Sequence, residues 1–522
     1  MPKQRRYVST PIYYANDRPH IGHVYTTTLC DVYARSMRAI GHDTFFLTGT
    51  DEHGLKVEQS ATEQGLTPQE LADRNSEEFQ TIMSTFEMTN DDFLRTTDPR
   101  HKKQVQAFVT KLLEKGDIYL GTFEGWYDEG QEEYHTETSA RDLDYTSSIS
   151  GKPLVRATEK NYYFKLSAYQ DCLEKLFESN PKFVLPQSRK NEVLGRLREG
   201  LQDVPISRTN FSWGIPMPDD SEHVIYVWID ALFNYITALG LGDPESTEFA
   251  ERSDFWPASY HIIGKEILWF HSVIWPAVLT ALDLPLPHCI YAHSFWIREG
   301  RKMSKSMGNF IDLETIESYV NKYCLDAWRY YLVTQGPLGA SDADFVSDKF
   351  QDIYTSHLVN TVGNCTSRVT AMIGKYFGGV VPSESQDGER LVFDGFDWPE
   401  KCKNATEGWV AGMESFSLVA AFEAPMALIR DIDLFINDTA PFKLAKEETN
   451  QPQVAAILYQ CIESLRIASM MLTPLLPNKM NEFHHAIGVD SNQGSFEELL
   501  SWGGIQEGTT ITKVALFPRV DQ

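Results

Sequence analysis

The sequence contains no Cys-x-x-Cys pair: its seven cysteines (30, 172, 289, 324, 365, 402 and 461) are scattered along 522 residues. That scatter argues against a cysteine zinc site and a disulfide framework, and it suits a reducing cytoplasm. No uninterrupted apolar run approaches membrane-spanning length, and the opening Lys3-Gln4-Arg5-Arg6 leads into a strand-like stretch without an apolar leader. Neither secretion nor a membrane partner is therefore expected. Internal repeats and low-complexity tracts are also missing. Positive charge is scarce, with 47 Lys and Arg against 73 Asp and Glu, a net charge of −26. Such acidity opposes long-range attraction of nucleic acid, and DNA is not expected as a partner, yet a local basic surface can still hold phosphates. Core-forming residues are plentiful: 42% hydrophobic and 12% aromatic. At this length they imply two to four well-cored domains.

Residues 6–14 (RYVSTPIYY) read as a buried first strand. Over 22–40, apolar residues at Val24, Leu29, Val32, Tyr33, Met37 and Ile40 keep a helical repeat that Gly41 closes. A second strand follows at 44–48, then the polar turn Asp51-Glu52-His53-Gly54. Strand, helix and strand at this spacing predict a βαβ unit and a parallel sheet, with a ligand crevice at the carboxyl ends of its strands. The pattern of residues 1–115 breaks at 116–222, where Gly, Tyr, Trp and charged residues alternate over short stretches, as in an inserted module. It resumes over 223–297, passes through a loop-bearing stem at 298–350, and gives way to helical periodicity over 351–522, for example at 454–476. The fold class expected is α/β, a Rossmann-like parallel-sheet domain with an inserted connective module and a C-terminal all-helical domain.

Two short strings carry chemistry. His20-Ile21-Gly22-His23 places two imidazoles three residues apart at a helix start, on one face of its first turn. Gly22 would let a purine or ribose approach the backbone, and unpaired N–H groups at a helix N-terminus favour phosphate. Lys302-Met303-Ser304-Lys305-Ser306 is a doubly basic turn among small residues, after the hairpin-like Arg298-Glu299-Gly300-Arg301. Mobile cations of this kind can meet the charge that develops on leaving pyrophosphate. Alone, the first string reads equally as surface histidines and the second as a solvated basic loop. In this order, about 280 residues apart, they resemble the two signatures of class I aminoacyl-tRNA synthetases. The segments 10–26, 49–61, 224–240, 261–277, 302–309 and 360–368 narrow the resemblance to methionyl-tRNA synthetases, over almost the whole chain.

The resemblance implies a Rossmann-like catalytic domain that activates methionine with ATP and Mg2+ and transfers it to tRNA(Met), initiator tRNA included. It assigns His20, His23, Lys302 and Lys305 to catalysis at the phosphates, and Gly22, Gly264 and Glu266 to the rest of the ATP site. It assigns Pro11, Ile12, Tyr14, Asp51, Trp228, Ala231, Leu232, Tyr235, Ile267 and His271 to methionine, Asp51 facing the ammonium. An aromatic and aliphatic lining suits a polarizable thioether. Asn360, Asn364 and Arg368, four apart in the helical region, and Phe442 match the family's anticodon-reading positions. Two departures bear on this. Asp128 and Gln131 stand where a zinc knuckle of the family carries thiolates, so no structural zinc is expected. Phe442 replaces the usual tryptophan platform, with less area to stack on an anticodon base. The sequence ends without the β-barrel module that dimerises some relatives, so a monomer is expected. Two alternatives stay open: another adenylyl-transferring enzyme of this fold without RNA, and a non-catalytic tRNA-binding relative.

Overall fold

The computed structural model describes residues 3–520 apart from 17, 129–132, 136, 148, 304–307, 387–388 and 492. The central strand β1 (Arg5–Ser9) pairs in parallel with β3 (Asp43–Asp51) on one side and with the strand Tyr260–Gly264 on the other. The expected strand over 6–14 is in fact two. Pro11 has no N–H to give a ladder, so β1 ends at Ser9 and pairing resumes in β2 (Tyr13–Tyr14), against Thr50 and Asp51. Beyond β3 lies β4 (Asp92–Arg95); beyond Tyr260–Gly264 lies Ile290–His293. All these pairings are parallel. The strand order reverses beside β1, which puts the switch point, and hence the crevice, at the carboxyl ends of β1, β3 and Tyr260–Gly264.

Helix α1 (Ile21–Ile40) crosses behind the sheet with Val24, Leu29, Val32, Tyr33 and Met37 wholly buried. Gly41 ends it at φ 99°, a left-handed conformation that costs glycine nothing. Helices α2 (Leu55–Glu63), α3 (Pro68–Thr85) and α4 (Pro99–Lys115) complete the first half of the domain.

The segment 116–222 forms its own antiparallel sheet, in which Ile118–Asp128 runs against Val155–Phe164. It is less separate than an insertion read from composition: Val184–Leu185 returns to pair in parallel with Ile290–Tyr291 in the main sheet. Trp213 also docks on the turn after β3, its indole N–H donating to the Glu52 carbonyl at 2.6 Å while the Trp213 carbonyl accepts from Gly54 N–H at 3.0 Å.

After 351 the described chain is mainly helical. The helix spanning 448–472 is long and apolar enough on average to cross a membrane, though Gln460, Glu463 and Arg466 interrupt its apolar run, and 94% of its apolar window is buried within the fold. It is the axis of the helical region, packed by Leu418–Thr439 and Trp398–Glu414. A buried charge node ties this region to α1. Arg329 donates to Asp31 at 2.6 Å and to the carbonyls of Pro474 and Leu475. Asp31, flanked also by Arg35 and Thr89, is held below the ordinary carboxylate range: the two guanidinium groups and the Thr89 hydrogen bond outweigh the cost of its burial.

Candidate nucleotide and amino-acid site

His20 is the N-cap of α1, and the two histidines form a reciprocal capping box. Gly22 N–H donates to His20 Nδ1 at 3.0 Å and His20 N–H donates to His23 Nδ1 at 3.2 Å. Their ring centroids are 3.9 Å apart. An Nδ1 that accepts leaves the ring hydrogen on Nε2. Burial, reinforced by His20, pushes the His23 imidazole well below its usual value and keeps it neutral. Two details differ from the sequence reading. The first-turn amides are not left for an anion, since Ile21 N–H donates to Ile311 O and His23 N–H to His20 O. The space at Gly22 is taken by the protein, because a Cβ there would lie 2.9 Å from His20 Cε1. The backbone amides at this helix start are therefore satisfied within the protein.

The second string lies partly beyond view: Lys305, Ser304 and Ser306 fall outside the described residues. Lys302 ends the hairpin of Trp296–Arg298 with Arg301–Lys302. Its carbonyl accepts from the Asn309 amide at 3.2 Å. The far side of the segment returns to the first string: Phe310 meets the His20 ring edge-on at 5.0 Å, next to the Ile311 carbonyl that caps α1. The two strings, 282 positions apart in sequence, are thus neighbours in space. At the same end of the sheet Gly264 ends its strand, and Glu266 folds back over it so closely that a Cβ would lie 2.3 Å from Oε2. Glu266 is exposed as a residue, yet the protein packed around its carboxyl holds that group above its ordinary range, with Lys265 and Lys302 pulling it back.

The amino-acid residues gather at the same end of the sheet. Asp51, the last residue of β3, is buried opposite Tyr14. Pro11 and Ile12 line the loop between β1 and β2 rather than a strand end. Trp228, Ala231, Leu232 and Tyr235 lie on two short helices in succession, Val227–Leu232 and Asn234–Thr237. All but Trp228 are buried, and Trp228 stacks on Phe270 at 4.4 Å. Ile267 and His271 do not share a regular α-helix: Ile267 closes a 3₁₀ turn and His271 sits in the π-helical segment Phe270–Ile274, a distortion that often marks functional sites. His271 Nδ1–H donates to Ile267 O at 3.0 Å, which leaves Nε2 to accept from the Tyr235 hydroxyl at 2.8 Å. Burial drives its pKa down to about 4, so the imidazole is neutral.

One constellation escaped the sequence reading. The buried Asp230 accepts from His53 Nδ1 at 2.6 Å and from His101 Nε2 at 2.7 Å, and His101 Nδ1 lies 2.7 Å from the Thr237 hydroxyl. It joins the turn after Asp51 to the helix that bears Trp228 and Ala231. The histidine in Asp51-Glu52-His53-Gly54 was the available signal; its partners, 177 and 48 positions away, were not.

In the helical region Asn360 belongs to a π-helical stretch, Tyr354–Gly363, and Asn364 and Arg368 to the α-helix that follows, so no single regular helix carries all three. Both asparagines are exposed. Arg368 is held by Asn437 at 2.9 Å and lies 3.6 Å from Asp433, while Phe442 is 41% exposed on the short helix Pro441–Leu444. Of the positions expected to replace zinc thiolates, Asp128 is buried at a strand end, and Gln131 is outside the described residues.

Comparison with known proteins identifies the family. The family model described as tRNA synthetases class I (M) matches residues 6–143 and 139–370. A methionine–tRNA ligase of Halalkalibacterium halodurans is 41% identical over 526 residues, covering 99% of this chain and 78% of the relative. One of Bacillus subtilis is 38% identical, covering all of this chain and 79% of the relative. Among solved structures, Mycobacterium tuberculosis methionyl-tRNA synthetase in complex with methionyl-adenylate superposes with a TM-score of 0.90 at 34% identity, covering 99% of this chain and all of that one. Its apo form gives 0.85 at 30% identity, covering all of this chain and 99% of that one. The chain belongs to the methionyl-tRNA synthetases, class I aminoacyl-tRNA synthetases that ligate methionine to tRNA.

Proposed function

We propose that methionine is activated in the crevice above β1, between the two signature strings, and that each expected residue acts where it stands. The methionine carboxylate attacks the α-phosphate of ATP; the bond to the β-phosphate breaks, and pyrophosphate leaves with its charge. His23, a neutral donor through Nε2, meets that charge together with His20, Lys302 and Lys305. Glu266 accepts from the ribose hydroxyls, and Gly264 leaves room for its carboxylate. Asp51 holds the substrate ammonium, while Tyr14, Trp228, Ala231, Leu232, Tyr235, Ile267 and His271 surround the thioether, with Pro11 and Ile12 at the entrance. The 2′-hydroxyl of the terminal tRNA adenosine then attacks the adenylate carbonyl, releasing AMP, and no side-chain nucleophile is required. Asn360, Asn364, Arg368 and Phe442 contact the anticodon, Phe442 as a stacking surface. Magnesium would arrive on the triphosphate, where it needs few protein ligands and supplies charge neutralisation.

The observation that carries this reading is the meeting of the strings: Phe310 and Ile311, just beyond the second string, pack on His20 and cap the helix that it begins. Methionine-dependent ATP–pyrophosphate exchange tests it, comparing the intact protein with Lys305→Ala and Asp51→Ala. Exchange with methionine that collapses in both variants is the expected result. Exchange that survives Asp51→Ala with an unchanged methionine KM would remove Asp51 from the ammonium site.

A further inference from the structure

The hairpin that leads into the second string is held from a third strand. Trp296–Arg298 pairs antiparallel with Arg301–Lys302, Ile297 opposite Lys302 and Arg298 opposite Arg301, and on its other side in parallel with Ala343–Phe345. The outer strand is only Arg301–Lys302, and both residues are exposed. By itself a hairpin so short has little stability. Its turn is demanding as well. Glu299 and Gly300 sit at φ 53° and 70°, a left-handed region that suits glycine and strains glutamate. The Gly300 amide has no place in the ladder of the hairpin. Asp344 supplies its partner, accepting from Gly300 N–H at 2.8 Å through Oδ2. The other oxygen, Oδ1, is buried without a hydrogen-bond partner among the described residues, so the carboxylate makes this bond at a cost in hydration. A second aspartate pins the start of the same strand: Asp342 accepts from Phe295 N–H at 2.9 Å and from the Lys265 ammonium at 2.6 Å. Lys265 opens the 3₁₀ turn Lys265–Ile267, which carries Glu266. The segment 342–345 thus ties the hairpin that ends in Lys302 to the turn that holds Glu266, and Lys302 is near enough to act on the Glu266 carboxyl.

We propose that Asp344 is a positioning residue for methionine activation: it fixes the turn at Glu299 and Gly300, and through it the place of Lys302 beside Glu266. The inference rests on the activation reading above. A lysine on an exposed two-residue strand has many positions open to it, and it speeds the loss of pyrophosphate only from those that meet the developing charge. Asp344 touches no reactant in this scheme and acts through Lys302. Its effect therefore belongs to the first step, because pyrophosphate has left before the adenylate meets tRNA.

The test compares Asp344→Ala, Asp344→Asn, Lys302→Ala and the double variant Asp344→Ala with Lys302→Ala, all in the full chain. Two reactions are read: methionine-dependent pyrophosphate exchange, and transfer of methionine to tRNA from supplied methionyl-adenylate. In Asp344→Ala the kcat of exchange should fall about tenfold, with the methionine KM within about twofold of the parent. Asparagine keeps an acceptor for Gly300 N–H, so Asp344→Asn should recover exchange to within about threefold. Transfer from the adenylate should stay within about twofold in both Asp344 variants, which also shows that they fold. In the Lys302→Ala background the further loss from Asp344→Ala should be less than about twofold. Unchanged exchange in Asp344→Ala, beside a clear loss in Lys302→Ala, overturns the proposal and leaves the activation reading intact. Exchange and transfer that fall together, or losses that simply multiply in the double variant, overturn it as well, since a structural role alone would give them. Full exchange in Lys302→Ala would instead count against the activation reading, and against the proposal with it.

Discussion

Asp230→Asn is the most informative single change, because Asp230 is a buried anion shared by two histidines. His53 and His101 draw its pKa down to about 2 against the cost of burial. From an ordinary value of 3.8, that difference stabilises the ionised folded form by about 2 kcal/mol near neutrality. The sign follows from the depressed value: the stabilisation is complete above the unfolded pKa and is lost as pH falls from about 3.8 toward 2. Structural reasoning gives a similar size. An asparagine keeps one acceptor, but its amide would face an N–H of the other histidine. His53 could relieve the clash only by moving its proton to Nε2, which is buried and has no partner among the described residues. The expected loss is about 2–4 kcal/mol at pH 7, measured by urea unfolding. Because the node joins the Asp51 turn to the Trp228 helix, the methionine KM in exchange should rise roughly tenfold while the ATP KM holds. A loss under about 0.5 kcal/mol with an unchanged methionine KM would refute the reasoning.

Two further outcomes follow from individual contacts. Gly264→Ala should push the Glu266 carboxylate off its seat, since the new Cβ would lie 2.3 Å from Oε2; exchange kinetics should show a raised ATP KM with the methionine KM unchanged. His271, driven to about 4 by burial, binds a proton more readily unfolded than folded, so it stabilises above pH 6.5 and that contribution fades as pH falls toward 4. Urea titrations of His271→Gln against the parent should therefore converge on acidification by up to about 3 kcal/mol, and parallel curves would show that the imidazole is not held neutral.

The sequence by itself determined what depends on neighbours along the chain. The βαβ start, the helix closed by Gly41, the parallel sheet and the two signature strings all follow from local periodicity, caps and short spacing. The membership of the family was legible for the same reason, as contiguous strings. Tertiary structure decided what depends on distant partners. Pro11 splits the first strand only because β3 offers a second pairing register at Thr50. The Ile21 amide that opens α1 is satisfied only because Ile311 arrives from far along the chain. His53 becomes part of a buried anion node only where Asp230 and His101 meet it. The π-helical turns at His271 and Asn360 carry ordinary helical patterns in sequence and widen only under packing. Hydrogen bonding and burial are satisfied across the fold, whereas periodicity records only the side of an element that faces inward.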